Sequence, residues 1–148
     1  MERVVVPAPV GEPPDALARS VLRELAVQPD PEAIGEVRSF VAEVCREWGL
    51  ETSSDTAVLL ASELATNAVR YARTPVIVWL GRRPDRIVLS VEDASPESAV
   101  RRSAGSLDEG GRGLQIVDAL AQRWGEKEVP RGKLVWAELA TGRAVSPA

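Results

Sequence analysis

The sequence predicts an α+β domain, a two-layer α/β sandwich in which a mixed, mostly antiparallel sheet carries its helices on one face. Two segments place apolar residues at helical spacing, two β-branched runs are separated by a short polar turn, and two further strands close the chain around a turn that contains proline and glycine. With 148 residues and 45% hydrophobic content, the chain can fill one core. We expect one domain over residues 16–140, between flexible tails at residues 1–15 and 141–148.

The first elements are an edge strand and a helix. Alternation over residues 19–27 indicates the strand, although only weakly. Asp30 followed by Pro31 is typical of a helix start, with aspartate as the N-cap, and Gly49 is typical of its end. A second helix is predicted to begin at Ser53 or Ser54, whose hydroxyls would cap it, and to continue to residue 71 along one apolar stripe.

The second half of the chain predicts two hairpins separated by a long loop and a helix. The segments, in order, are strands at 76–80 and 87–91, a loop at 94–111, a helix at 112–122, and strands at 126–129 and 133–139. Within the first hairpin, Leu89 and Val91 are expected on one face, and Val88 and Ser90 on the other. A loop of that length inside a small domain is usually functional or disordered.

Composition excludes several function classes. There is no histidine and one cysteine, Cys45, which excludes the usual zinc sets, a Ser-His-Asp nucleophile and an internal disulfide. The 22 acidic and 18 basic residues are well mixed, so nucleic acid binding is not expected. No signal peptide or membrane-spanning run is evident, and we expect a cytoplasmic protein without membrane contact.

Glu63 and Asn67 form the first candidate site. They lie four residues apart on the second predicted helix and therefore share a face. The Asn67 amide oxygen suits Mg²⁺, and Glu63 can orient or deprotonate a hydroxyl that attacks a phosphoryl group. The alternative is an ordinary hydrogen-bonded pair facing solvent.

Asp93 and a glycine cluster are the second and third candidates. Asp93 follows the strand at 87–91 and can either accept a hydrogen bond from the amino group of adenine or cap the next turn. Gly110, Gly111 and Gly113 lie where the long loop becomes a helix. Backbone without Cβ atoms can approach phosphates there, and the helix start favours an anion; a plain hinge is the alternative.

These three segments, in this order, resemble the N, G1 and G2 boxes of the GHKL superfamily, the histidine-kinase-like ATPases. Residues 63–72 (ELATNAVRYA) and 111–117 (GRGLQIV) are most similar to the anti-sigma factor serine/threonine kinases. The resemblance implies the Bergerat fold, with ATP and Mg²⁺ as cofactors. It implies the following roles: Glu63 as the catalytic base, Asn67 as the metal ligand, and Asn67, Asp93, Gly111, Arg112, Gly113 and Leu114 as nucleotide-binding residues.

The resemblance also implies a function and its partners. The γ-phosphoryl group of ATP would pass to a serine of an anti-anti-sigma (STAS-type) protein, and the kinase would otherwise sequester a sigma factor. The resemblance also implies a homodimer. Autophosphorylation on histidine is excluded within this chain, since it has none. The alternative is a module that binds ATP and a protein partner without transferring phosphate.

Three positions depart from the family's pattern. Tyr71 stands where the family often has histidine, and Ser95 where many relatives keep a glycine. Leu134 stands on the last strand, where many relatives place a threonine that supports the adenine contact. The loss of that hydroxyl is expected to reduce nucleotide affinity.

Overall fold

The computed structural model describes residues 21–95 and 110–141, and the structural statements below concern those residues. In chain order the elements are β1 (Val21–Val27), α1 (Glu32–Glu47), α2 (Glu51–Asn67), a π-helical turn (Ala68–Ala72), β2 (Val76–Arg83), β3 (Arg86–Asp93), α3 (Gly110–Leu120), β4 (Arg123–Val129) and β5 (Gly132–Ala140). The predicted order of strands and helices is therefore confirmed.

The five strands form one sheet in the order β1-β2-β3-β5-β4. All four neighbouring pairs are antiparallel. The prediction was a mixed, mostly antiparallel sheet, and the described strands contain no parallel pair. The weakly patterned first strand is indeed an edge strand, and β3 is central. The end of β3 therefore lies between β2 and β5 and is accessible to side chains from both.

One face of the sheet packs against the helices. Ile87, Leu89 and Val91 of β3 belong to the core cluster that includes the buried faces of α1 and α2. Val88 and Ser90 are buried but do not belong to it, as expected if they point to the opposite face. We call the two surfaces the helix face and the outer face of the sheet. The α+β sandwich predicted from the sequence is thus confirmed.

The end of α1 follows the sequence closely. Gly49 has a φ of 72°, the left-handed conformation expected of a glycine after a helix. Its amide donates to the Arg46 carbonyl (3.1 Å), and the Leu50 amide donates to the Cys45 carbonyl (2.8 Å). These two bonds form a Schellman motif, and the buried side chains of Cys45 and Leu50 supply its apolar contact.

The predicted side-chain caps were wrong. The first turn of α1 has no side-chain cap, and the Asp30 main-chain carbonyl accepts the Ala33 amide instead. The helix α2 begins at Glu51, earlier than predicted, and also has no side-chain cap. Ser53 is buried inside its first turn rather than preceding it. The helix can begin early because the Schellman motif already turns the chain at Gly49.

The long second helix that the sequence predicts consists of a regular α-helix followed by a π-helical turn. Regular α-helix ends at Asn67 and continues as the π-helical turn, which stops at Arg73 in the left-handed conformation (φ 58°, ψ 35°). Single π-turns occur often at functional sites because they change the direction of the following backbone. Here the change falls immediately after a candidate metal ligand.

The described part of the chain ends at Thr141, just after β5. Thr141, the first residue of the predicted C-terminal tail, is buried, and its amide donates to the Asp85 carbonyl (3.1 Å). The folded part therefore includes Thr141. Residues 1–20, 96–109 and 142–148, which contain the rest of both predicted tails and most of the predicted loop, lie outside the described residues. No helix in the described part of the chain is long and apolar enough to span a membrane.

Candidate functional site

Asn67 and Asp93 lie at the edge of the domain where β3 ends and β2 begins. The π-helical turn packs against β3, and residues 73–75 lead from it into β2. The Thr74 hydroxyl accepts a hydrogen bond from the Ala94 amide (2.9 Å). This bond ties the segment after α2 to the segment after β3. It therefore fixes the C-terminal end of α2, with Asn67, near the end of β3, with Asp93.

Glu63 and Asn67 occupy the last turns of α2 with different degrees of burial. Asn67 is 6% exposed, whereas Glu63 is half-buried. The interpretation of this pair as facing open solvent is therefore wrong for Asn67. Burial raises the pKa of the Glu63 carboxyl above its ordinary value of 4.5. A carboxylate with a raised pKa is a stronger base than an ordinary carboxylate.

The donors in this region fit a magnesium ion that arrives with a nucleotide. No group of three histidine, cysteine, aspartate or glutamate side chains within residues 21–95 and 110–141 is placed to hold a metal. Mg²⁺ commonly binds through one or two protein oxygens plus substrate phosphates and water. One amide oxygen at Asn67, with a carboxyl one helical turn away at Glu63, is such a set.

Asp93 is a buried carboxylate at the end of β3. Its side chain lies on the helix face, in register with Val91 and Leu89, and it pairs with Lys133 across the strands β3 and β5. The Lys133 ammonium donates to both carboxylate oxygens, at 2.8 Å to Oδ1 and 2.9 Å to Oδ2. Both side chains are no more than 3% exposed. Asp93 also accepts the Ser95 amide at Oδ1 (2.9 Å).

The structure supports the turn-capping interpretation of Asp93 directly. The bond from the Ser95 amide is an Asx turn, which is the turn-capping role that the sequence left open. The contact between Asp93 and adenine stays a prediction. The Oδ1 atom of Asp93 accepts the Ser95 amide and thereby stabilises the turn after β3, and this hydrogen bond also orients the carboxylate.

The prediction about Leu134 was wrong. Leu134 pairs with Glu92, and its side chain lies on the outer face, where it lines a cavity of about 260 Å³ with Leu22, Trp79 and Glu92. A side chain there cannot support Asp93 on the opposite face, because adjacent strand residues point to opposite sides. The residue that contacts Asp93 is Lys133, one position earlier. Sequence reasoning missed it, although counting alternate residues from Val135 and Ala137 of the core places Lys133 on the helix face.

The turn between β4 and β5 approaches Asp93 closely. A Cβ atom added to Gly132 would lie 2.0 Å from the Asp93 carbonyl oxygen and 2.6 Å from the Ala94 Cα atom. Only glycine fits at this contact. The missing side chain brings the start of β5, and with it Lys133, against the end of β3.

The glycine cluster forms the beginning of α3. The helix starts at Gly110, two residues before the predicted start, so the backbones of Gly111, Arg112 and Gly113 lie in its first turn. The first amides of a helix have no partner within the helix and favour an anion. Leu114 is buried in the core, and α3 packs against α2. Leu114 therefore anchors this turn, and it can contribute to a ligand contact only through its main chain.

A separate cavity of about 200 Å³ lies at the same edge of the sheet. It is lined by Pro75, Ile77, Glu92, Asp93, Ala94 and Arg131. Ile77 pairs with Glu92 and belongs to the outer face, and neither Glu63 nor Asn67 lines the cavity. We therefore do not identify it with the candidate site on the helix face.

The model of the histidine kinase-like ATPase domain matches residues 27–139 of the 148. The matched range begins at the last residue of β1 and ends in β5, so it contains all three candidate segments. No curated protein matches the chain.

Proposed function

The chain belongs to the histidine kinase-like ATPase domain family, and we propose that it is an ATP-dependent serine/threonine kinase that also acts as an anti-sigma factor. Membership implies an ATP-binding module, and the more specific activity is our proposal. The observation that carries it is the placement of a buried carboxylate, Asp93, at the same edge of the domain as Asn67 and Glu63. We propose that these three residues supply the base, the metal ligand and the adenine-binding carboxylate of one nucleotide site.

Each residue has a role that follows from its surroundings. Asp93 accepts a hydrogen bond from the adenine amino group, and its burial strengthens that bond, because little water competes for it. Asn67 supplies an oxygen ligand to Mg²⁺, which neutralises phosphate charge when it is bound. The amides of Gly111, Arg112 and Gly113 at the start of α3 face anionic groups.

Glu63 is proposed as the general base. It lies one helical turn before Asn67, so a hydroxyl close to the metal-bound phosphates is also close to its carboxyl. Glu63 takes the proton from the attacking serine hydroxyl, the oxygen forms a bond to the γ-phosphorus, and the bond to the leaving ADP oxygen breaks. Such a transfer depends mainly on positioning and charge neutralisation, so it does not require a histidine.

The proposed partners are an anti-anti-sigma protein that carries the acceptor serine and a sigma factor that the kinase sequesters. Support for these partners comes from the similarity of residues 63–72 and 111–117 to the anti-sigma factor kinases. A homodimer is proposed on the same basis. The second candidate function, a module that binds ATP and a partner without phosphoryl transfer, shares the nucleotide site and differs only in the role of Glu63.

Nucleotide binding is the first test. We would titrate the full chain with Mg·ATP and with Mg·ADP by calorimetry, using the wild type, Asn67→Ala and Asp55→Ala. Asp55 is an exposed residue three turns earlier on α2 and is the matched control. We expect affinity to fall about 10-fold or more in Asn67→Ala, as is typical when a metal contact is lost, and to be unchanged in Asp55→Ala. No binding of either nucleotide at millimolar concentration would refute the proposal.

Phosphoryl transfer is the second test, and it separates the two candidate functions. The wild type and Glu63→Gln are incubated with γ-³²P-ATP and recombinant STAS-domain proteins from the same genome. Labelling of a STAS protein at a serine by the wild type, with a loss of about 100-fold or more in Glu63→Gln, supports the kinase. Normal ATP binding without labelling of any STAS protein would favour the non-catalytic module.

A further inference from the structure

The ion pair between Lys133 and Asp93 has a place in nucleotide recognition that the roles above do not use. The Lys133 ammonium reaches both oxygens of the carboxylate assigned to adenine. Its position is fixed by the register of β3 and β5, in which these two residues are direct partners, and by the close approach at Gly132. Any base that reaches Asp93 must therefore also meet Lys133.

The arrangement carries a desolvation cost. Removing two charges from water is expensive, and buried ion pairs are often no more stabilising than apolar residues of similar size. The neighbouring residues of the helix face, Val91 and Val135, are apolar and belong to the core. A pair of opposite charges at the end of this apolar row is better explained by a ligand that needs both a donor and an acceptor.

Adenine has such a requirement along one edge. Its 6-amino group is a donor, and the adjacent ring nitrogen N1 is an acceptor. An amino group that bonds to one carboxylate oxygen leaves Lys133 able to keep its bond to the other oxygen. The lysine ammonium carries three donors, so it can direct one of them to N1 at the same time.

We propose that Lys133 is a base-reading residue: its ammonium donates to N1 of adenine while Asp93 accepts from the 6-amino group. This inference rests on the proposed function, since it specifies how that site recognises its nucleotide. In many relatives an aspartate and a threonine hydroxyl are expected to bind adenine together, and this chain has Leu134 in place of that threonine. The pair Asp93–Lys133 would then take over the role of the aspartate and the hydroxyl. Lys133 determines specificity and does not take part in phosphoryl transfer.

The test combines a change in the ligand with a change in the protein. The wild type, Lys133→Met and Lys133→Gln are titrated by calorimetry with Mg·ATP, with 1-deaza-ATP, which has a CH group in place of N1, and with 7-deaza-ATP as the control. A hydrogen bond to a charged group predicts that the wild type binds 1-deaza-ATP about 10-fold to 100-fold more weakly than ATP. In Lys133→Met the two nucleotides should bind with the same affinity, and 7-deaza-ATP should bind like ATP throughout.

The glutamine variant covers the case in which Lys133→Met leaves Asp93 unpaired and fails to fold. Glutamine keeps a neutral donor, so we expect its preference for ATP over 1-deaza-ATP to be smaller than that of the wild type. An equal preference in the wild type and in either variant would overturn the inference. So would tighter ATP binding in a variant, which would mean that Lys133 blocks the site. If the wild type binds ATP but does not distinguish 1-deaza-ATP, only this inference fails. If it binds no ATP, the proposed function fails with it.

Discussion

Replacing Gly132 with alanine tests whether the turn between β4 and β5 holds the end of β3 in place. The added Cβ atom would lie 2.0 Å from the Asp93 carbonyl oxygen, and contacts of this kind do not occur below 3.0 Å. The two backbones must therefore separate by 3.0 − 2.0 = 1.0 Å or more. Both neighbouring atoms belong to backbone, which cannot rotate away as a side chain can. Overpacking of this kind costs about 1 to 3 kcal/mol, and we expect the upper end of that range.

The assay is equilibrium unfolding in urea, with Gly35→Ala as the matched control. Gly35 lies inside α1, and no atom lies within 4 Å of the position of its Cβ. The same chemical change should stabilise the chain there by about 0.5 to 1 kcal/mol, since alanine is the better helix former. Because Lys133 follows Gly132, we also expect Gly132→Ala to weaken ATP binding. A Gly132→Ala variant with the stability and ATP affinity of the wild type would refute the reasoning.

Three other predictions concern single side chains. The first is Glu63→Gln. Because the pKa of Glu63 is raised, the native state holds a proton that the unfolded state releases, so the stability of the wild type should fall relative to the variant as pH rises from 4.5 through the native pKa. Urea unfolding of both proteins between pH 4 and pH 8, in steps of about 0.5 pH units, measures the difference in stability, and a difference independent of pH would contradict the prediction. For Arg73→Gly, relief of the left-handed conformation should stabilise the chain by up to about 1 kcal/mol in the same assay, and a loss of stability would show that the Arg73 side chain makes a larger contribution. The last concerns two adjacent leucines of α2. Leu60→Ala should lower the free energy of unfolding by about 2 to 5 kcal/mol because Leu60 is fully buried, whereas Leu59→Ala should lower it by less than about 0.5 kcal/mol because Leu59 is 38% exposed. Similar losses of stability in both variants would contradict the assigned helix face.

The order of the elements and the sheet were predictable because they depend on local periodicity. Both hairpins and the apolar stripes of α1 and α2 repeat over enough residues to be read from the sequence. Helix starts were not predictable to the residue. Asp30 and Ser53 are good capping residue types, but the first amides of these helices are satisfied in other ways, in part by main-chain carbonyls. Capping preferences are tendencies that the neighbouring turn can override.

The candidate site was predictable where it depends on one segment and not where it depends on a pair of strands. Glu63 and Asn67 share a helix face at a spacing that the sequence fixes. The contact between Asp93 and Lys133 joins residues 40 positions apart, and it depends on the register of β3 against β5. The family resemblance suggested Leu134 as the residue beside Asp93, but Leu134 lies on the opposite face because adjacent residues of a strand point to opposite sides of the sheet.

This dependence on register also explains why the end of β3 carries so many constraints. The Thr74 hydroxyl holds the Ala94 amide from one side, and Gly132 approaches the Asp93 carbonyl from the other. Lys133 holds the Asp93 side chain itself. A one-residue slip of β5 would place Leu134 against the carboxylate and leave a buried charge without its cation, at a cost of about 3 to 5 kcal/mol. The ion pair thus stabilises the single register in which a donor and an acceptor lie side by side on the helix face.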